Sequence, residues 1–203
     1  MNISESRAER YRTILSRLER SCDSNAANLA DGTRLIGKLK PRADGLFSKA
    51  YMHSIYSGLS EDSIRDLANM IGRDLPEPLM DFYRAANGLS LFCGSLSISG
   101  LRVDYSRNPE VRLPVSLEYG NAIDLPKRSD MFAATERPIL LGFYSWGKGA
   151  HVFLDPTSFG VWLAPRNHLS PILYQWPSLE YFLEHEIERM TVASKNIDLS
   201  PLV

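Results

Sequence analysis

The sequence predicts an α+β domain: helices packed against a mainly antiparallel sheet of about five to six strands, with an extra helical segment at the N-terminus. Three amphipathic stretches come first, the period then changes from helical to extended after Gly88, and a last amphipathic stretch closes the chain. Helices, then strands, then one helix is not the strand-helix alternation of a doubly wound fold. A chain of 203 residues suits one domain, and a domain of that size buries about 70% of the surface its unfolded chain exposes.

Tyr11, Ile14, Leu15 and Leu18 recur at i, i+3, i+4 and i+7 with arginines between them, the pattern of a helix with one apolar stripe. Ser6 followed by Glu9 is a capping box. Gly32, Gly37, Pro41 and Gly45 break the periodicity that follows, with a short helix expected around Phe47 to Tyr56. Residues 1–59 are thus expected as a helical extension packed on the same domain, 60–193 as the main domain and 194–203 as a loose tail.

Ser60 caps a second helix whose early Glu61 and Asp62 suit the positive end of its dipole. Ile64, Leu67, Ala68 and Ile71 form its stripe, and Gly72 stops it. Pro76 opens a third helix that turns Leu79, Phe82, Tyr83 and Ala86 inward and ends at Asn87-Gly88. Extended segments follow at Leu89 to Phe92, Ser95 to Ser99 and Leu101 to Tyr105, punctuated by Gly94 and Gly100. Residues 106–138 are a polar, proline-bearing insertion with a short helix near Leu117 to Ile123. Ile139 to Tyr144, Ala150 to Leu154 and Gly160 to Leu163 read as a three-strand meander. Pro177 opens the terminal helix, with Leu179, Phe182, Leu183, Ile187 and Met190 on one stripe.

The first twenty residues lack the apolar core of a signal peptide, and no stretch reaches the ~20 apolar residues of a membrane span. Cys22 and Cys93 stand far apart in no metal-ligand spacing, which fits a reducing compartment, so a cytoplasmic protein without a structural disulfide is expected. The net charge of -1 argues against direct nucleic-acid binding. Through Ala50 there are ten Lys or Arg against six Asp or Glu, so this segment carries +4 and the rest -5. Such asymmetry is ordinarily a solvated face and can also steer an acidic partner.

An ordered set of pieces resembles the SUKH superfamily over roughly residues 60–190. It runs from Gly72-Arg73-Asp74-Leu75-Pro76 through Phe82-Tyr83, Asn87-Gly88-Leu89 and Ser95-Leu96-Ser97-Ile98-Ser99-Gly100-Leu101. It continues with Leu141-Gly142-Phe143-Tyr144, Val152-Phe153-Leu154-Asp155, and Ile172 through Leu183 with Trp176 and Phe182. In physical terms Leu75, Pro76, Phe82, Tyr83, Asn87, Gly88, Gly100, Gly142, Trp176 and Phe182 build the frame. The resemblance implies a non-enzymatic, immunity-type role: binding a cognate protein toxin domain and blocking it inside the producing bacterial cell. No cofactor or metal is implied, and a monomer or weak dimer is expected. The alternative is a regulator or scaffold of a housekeeping, cell-wall-related pathway; an enzyme assembled from residues distant in sequence comes third.

Catalytic motifs fail at decisive residues. His185-Glu186-Ile187-Glu188-Arg189 has Arg where a zinc protease needs its second His. Ser145 has Phe143 where a hydrolase elbow needs Gly, and Gly147-Lys148-Gly149 lacks the rest of a phosphate loop. His151 and Asp155, four apart, are expected on one face of a strand. Aromatics beside charge are the better binding candidates, because Trp, Tyr and Arg concentrate interface energy. Tyr105, Arg107, Tyr144, Trp146 and Lys148 are therefore the candidate partner-binding residues, at two turns.

Overall fold

The computed structural model describes residues 6–22, 26–39, 50–105, 112–122, 137–145, 149–166 and 171–196. The first element is α1 (Arg7–Ser21), and its Ser6 hydroxyl accepts the Glu9 N–H at 3.3 Å. Tyr11, Ile14, Leu15 and Leu18 are buried as its stripe requires, and each of the three aliphatic residues contributes about 2 kcal/mol by leaving water. The Tyr11 hydroxyl donates to the Pro78 carbonyl at 3.1 Å, while Arg7 pairs with Asp81 and Glu180, and Arg17 with Glu184. These contacts make α1 part of the core.

The described residues between 27 and 55 depart from the expected helical segment, and Phe47 to Lys49 of the expected short helix lie outside the described residues. The described ones form β1 (Ala27–Asn28), β2 (Arg34–Lys38) and β3 (Tyr51–Ile55). The apolar positions between Phe47 and Tyr56 mimic a helical stripe, but Tyr51, His53 and Ile55 face Lys38, Ile36 and Arg34 across the sheet, which is a period of two. The next elements are α2 (Glu61–Ile71), capped by Ser60 and ended by a left-handed Gly72, and α3 (Glu77–Ala85), which starts after Pro76.

Strands β4 (Leu89–Leu91) and β5 (Leu96–Ile98) follow, then α4 (Leu117–Ala122). The segment Leu101 to Tyr105, expected as a strand, joins no strand; only a single bridge links neighbouring Gly100 to Ser116. Its Arg102 and Tyr105 side chains bond towards the 114–116 segment instead of a ladder. Strands β6 (Ile139–Tyr144), β7 (Ala150–Leu154), β8 (Val161–Pro165) and β9 (Tyr174–Trp176) precede α5 (Leu179–Asn196). Every sequential pair is antiparallel, so the described strands form one nine-stranded meander in chain order. The sheet exceeds the expected five to six strands because the N-terminal segment adds three and a three-residue strand precedes α5.

One sheet face carries Ile55, Leu89, Ile98, Val152, Leu154 and Val161, which join α1, α2, α3 and α5 in the main core. The opposite face carries a transverse row of small and polar side chains, Ser54, Ser90 and Ser97, continuing through Phe143 and His151 to Ala164. A second, smaller cluster of Leu140, Phe153 and Ala164 lies on this face. No helix among the described residues is long and apolar enough to cross a membrane.

Residues of the family-like frame knit α3 to the sheet. The buried Asn87 side chain accepts the Leu101 N–H at 2.7 Å and donates to the Leu101 carbonyl at 2.9 Å, replacing a strand partner. The Tyr83 hydroxyl, buried, donates to the Ser99 carbonyl at 3.0 Å. Gly88 has φ +87°, and a Cβ there would stand 2.6 Å from the Ile98 carbonyl oxygen; only glycine meets both conditions. A side chain at Gly100 would collide with Asn87, and one at Gly142 with the Ser97 carbonyl beside the irregularity in β6. Leu75 is buried ahead of Pro76, and Phe82 meets Tyr11 edge-on at 5.5 Å.

Candidate protein-docking surfaces

Two exposed groups of aromatic and aliphatic side chains stand out, one on the segment after β5 and one where β9 meets α5. In the first, Val103 is 75%, Tyr105 60% and Val115 40% exposed. The Gly100–Ser116 bridge, which is parallel, ties the segment after β5 to the one before α4 at one point, and Arg102 reaches across to donate to the Pro114 carbonyl at 3.3 Å as well as to the Asp104 carbonyl at 3.1 Å. The Tyr105 hydroxyl bonds the Ser116 hydroxyl at 3.1 Å, and the Arg102 guanidinium lies 5.4 Å from the Tyr105 ring centre. Tyr105 is therefore held at one end while its ring stays in solvent, the arrangement of a pre-organised anchor. Burial raises the pKa of nearby Tyr56, and the positive charges of Arg112 and Arg102 act against that shift.

The second group is a chain of rings. Tyr174 and Trp176 on β9 are 6.0 Å apart, Trp176 and His185 6.2 Å, and His185 stacks on Tyr181 at 6.4 Å. Trp176 is buried and meets Phe182 edge-on at 5.0 Å, whereas Tyr174 and Tyr181 are exposed. Beneath the rings Glu186 is almost wholly buried. Its two carboxylate oxygens share the single Arg189 Nε–H, at 3.0 and 3.1 Å, and it accepts one hydrogen bond from Arg189 Nη2 at 2.6 Å and one from the Tyr144 hydroxyl at 2.5 Å. His185 Nδ1 lies 3.0 Å from the same carboxylate. Burial alone would raise the Glu186 pKa, but the hydrogen bonds from Arg189 and Tyr144 outweigh it and hold the carboxyl below its usual range. Burial beside that carboxylate pushes the Tyr144 hydroxyl far up.

The candidate residues named from sequence therefore separate. Tyr105 is exposed in the first group, while Tyr144 is half-buried and its hydroxyl is committed to Glu186. Arg107, Trp146 and Lys148 lie outside the described residues. His151 and Asp155 do not form a strand-face pair. Asp155 lies past the end of β7, where its carboxylate accepts the Thr157 N–H at 2.9 Å and the Ser158 hydroxyl at 2.7 Å, a turn function. His151 stays on the sheet face, and burial with the nearby Arg166 charge lowers its pKa. Among the described residues no group of three His, Cys, Asp or Glu side chains is placed to hold a metal ion. Neither Cys22 nor Cys93 is in a disulfide.

Sequence reasoning missed Arg102, Val103, Val115, Leu173, Tyr174 and Tyr181. The signal for β9 was present as the uncharged run between Pro171 and Pro177. Val103 and Val115 carried none, since an apolar residue in a polar segment does not announce its exposure. Comparison with protein-family models, curated proteins and solved structures gave no match.

Proposed function

We propose that this protein is a non-enzymatic binding domain of the immunity type, which forms a one-to-one complex with a cognate protein toxin domain and neutralises it inside the producing cell. The observation that carries the reading is the exposed Val103–Tyr105–Val115 group with Arg102 against the Tyr105 ring. It offers an aromatic anchor, aliphatic flanks and a guanidinium, the composition that concentrates binding energy. The resemblance of residues 60–190 to the SUKH superfamily supports the same class, and its frame residues Phe82, Tyr83, Asn87 and Gly88 are occupied in holding the fold.

Inhibition in this reading is steric. The Tyr105 ring enters a depression on the toxin domain, Val103 and Val115 exclude water around it, and the toxin's substrate is denied access. Co-expression of the chain with the toxin domain encoded beside its gene tests it. Survival of the cells together with a recoverable stoichiometric complex supports the reading. Death of the cells with no complex overturns it and favours a regulator of a housekeeping pathway.

A further inference from the structure

We propose that Arg102 is the positioning residue of the Tyr105 surface: it works inside the chain, clasping the segments 101–105 and 112–116 together before any partner arrives. Given the docking reading of that surface, on which this rests, the guanidinium has a task other than contact. Exposure alternates along the first segment, with Val103 and Tyr105 exposed and Arg102 and Asp104 partly buried between them, the period of an extended chain. On the second segment Val115 is exposed between the buried Pro114 and Ser116. A partner therefore meets Val103, Tyr105 and Val115, and Arg102 lies on the inner side of the segment.

The targets of the guanidinium are specific. Its Nε donates to the Asp104 carbonyl and its Nη1 to the Pro114 carbonyl, the peptide groups that lead directly into Tyr105 and Val115. The same guanidinium stands over the Tyr105 ring, where a cation is attracted to the ring face. One side chain thus sets two exposed residues relative to each other. Leu101 is fixed through both backbone groups by Asn87, but beyond it the segment joins no strand among the described residues. A segment without a ladder, left loose, surrenders its freedom when a partner binds, and that entropy counts against affinity. Ordering it in the unbound chain removes the cost from the binding step. Lysine carries the same charge as one compact ammonium without the planar fork, so it does not reproduce two carbonyl bonds with a face laid on the ring.

Two measurements on Arg102→Ala and Arg102→Lys test the proposal. In the full chain alone, backbone amide order parameters from NMR relaxation at Val103, Asp104 and Tyr105 are expected near about 0.85 in wild type and below about 0.6 in both variants, with the urea unfolding midpoint unchanged. With the toxin domain encoded beside the gene, both variants are expected to associate about tenfold more slowly and to dissociate at the wild-type rate, because only the ordered fraction is competent to bind. A wild-type segment that is already loose, order that persists in Arg102→Ala or returns with lysine, or faster dissociation at an unchanged association rate would overturn it. A wild-type chain that binds no toxin domain counts against the docking reading alone, and the order parameters still decide the clasp.

Discussion

Two sets of tyrosines divide the molecule. Tyr11 and Tyr83 have no exposed surface, and each donates its hydroxyl to a backbone carbonyl of another element, Pro78 at the start of α3 and Ser99 after β5. Burial raises the pKa of both hydroxyls well above the ordinary tyrosine value. Tyr105, Tyr174 and Tyr181 leave half or more of their surface in solvent. One residue type thus performs two tasks. Where the hydroxyl is needed to satisfy a buried carbonyl, tyrosine fastens a helix to the sheet; where the ring is left outside, it is available to a partner. Frame residues such as Phe82, Asn87 and Gly88 fall with the first set, so they bear on how the chain folds and leave the choice of partner to other residues.

The largest effect that sharpens this contrast is expected in the frame. Gly88→Val adds strain at φ +87° to a collision with the Ile98 carbonyl and is expected to cost about 4 kcal/mol, combining backbone strain with overpacking. Urea unfolding measures it; a cost below about 1 kcal/mol would show that α3 and β5 tolerate separation.

Acid probes the same side of the comparison at a different place. His53 is 1% exposed, its Nδ1 accepts the Phe92 N–H at 3.3 Å, and burial lowers its pKa from 6.5 to about 4. Because the folded-state value lies below the unfolded one, the unfolded chain takes up the proton first on acidification. The stabilisation is complete above pH 6.5 and is lost as the pH falls from there towards 4. At about 1.4 kcal/mol per unit the total is about 3 kcal/mol. Unfolding free energies at pH 7.5 and 4.5 check it: His53→Asn, with no proton to gain, is expected to flatten this part of the slope, and an unchanged slope would remove His53 from the account.

Glu186 lies between the two sets, buried in side chain but next to the exposed rings. Arg189→Leu leaves that carboxylate without its main partner and is expected to cost about 2 kcal/mol, less than a fully buried pair because Arg189 is half exposed. Glu186→Gln on top of it should restore part of the loss in the same unfolding assay. Failure to restore would mean that Arg189 contributes through packing. The smallest stability effect is expected at Tyr105→Ala, below about 0.5 kcal/mol.

The legibility of the sequence follows the same division. Helices α1, α2, α3 and α5 were readable because their stripes and caps are local, as at Ser6, Ser60 and Gly72. Strands β6 and β7 were readable as apolar runs between turns. Residues 27–55 were not, because β1 has two residues, β2 contains a left-handed Gly37, and β3 becomes a strand only through partners distant in the chain. Asn121 shows the same limit, for its side chain pairs with both backbone groups of Leu140, nineteen residues further along the chain. At the candidate site Tyr105 was legible as an aromatic beside arginine, while its support from Arg102 and Ser116 depends on a bridge that no local pattern encodes.

The most direct test of the central claim, that the exposed tyrosine serves binding and not folding, is a paired measurement on Tyr105→Ala: its urea unfolding midpoint, and its affinity for the proposed partner, a toxin domain encoded beside its gene. The account predicts an unchanged midpoint and a complex weakened by about tenfold or more. A complex as tight as that of the wild-type chain, or a fall in the midpoint that accounts for the lost binding, would contradict it.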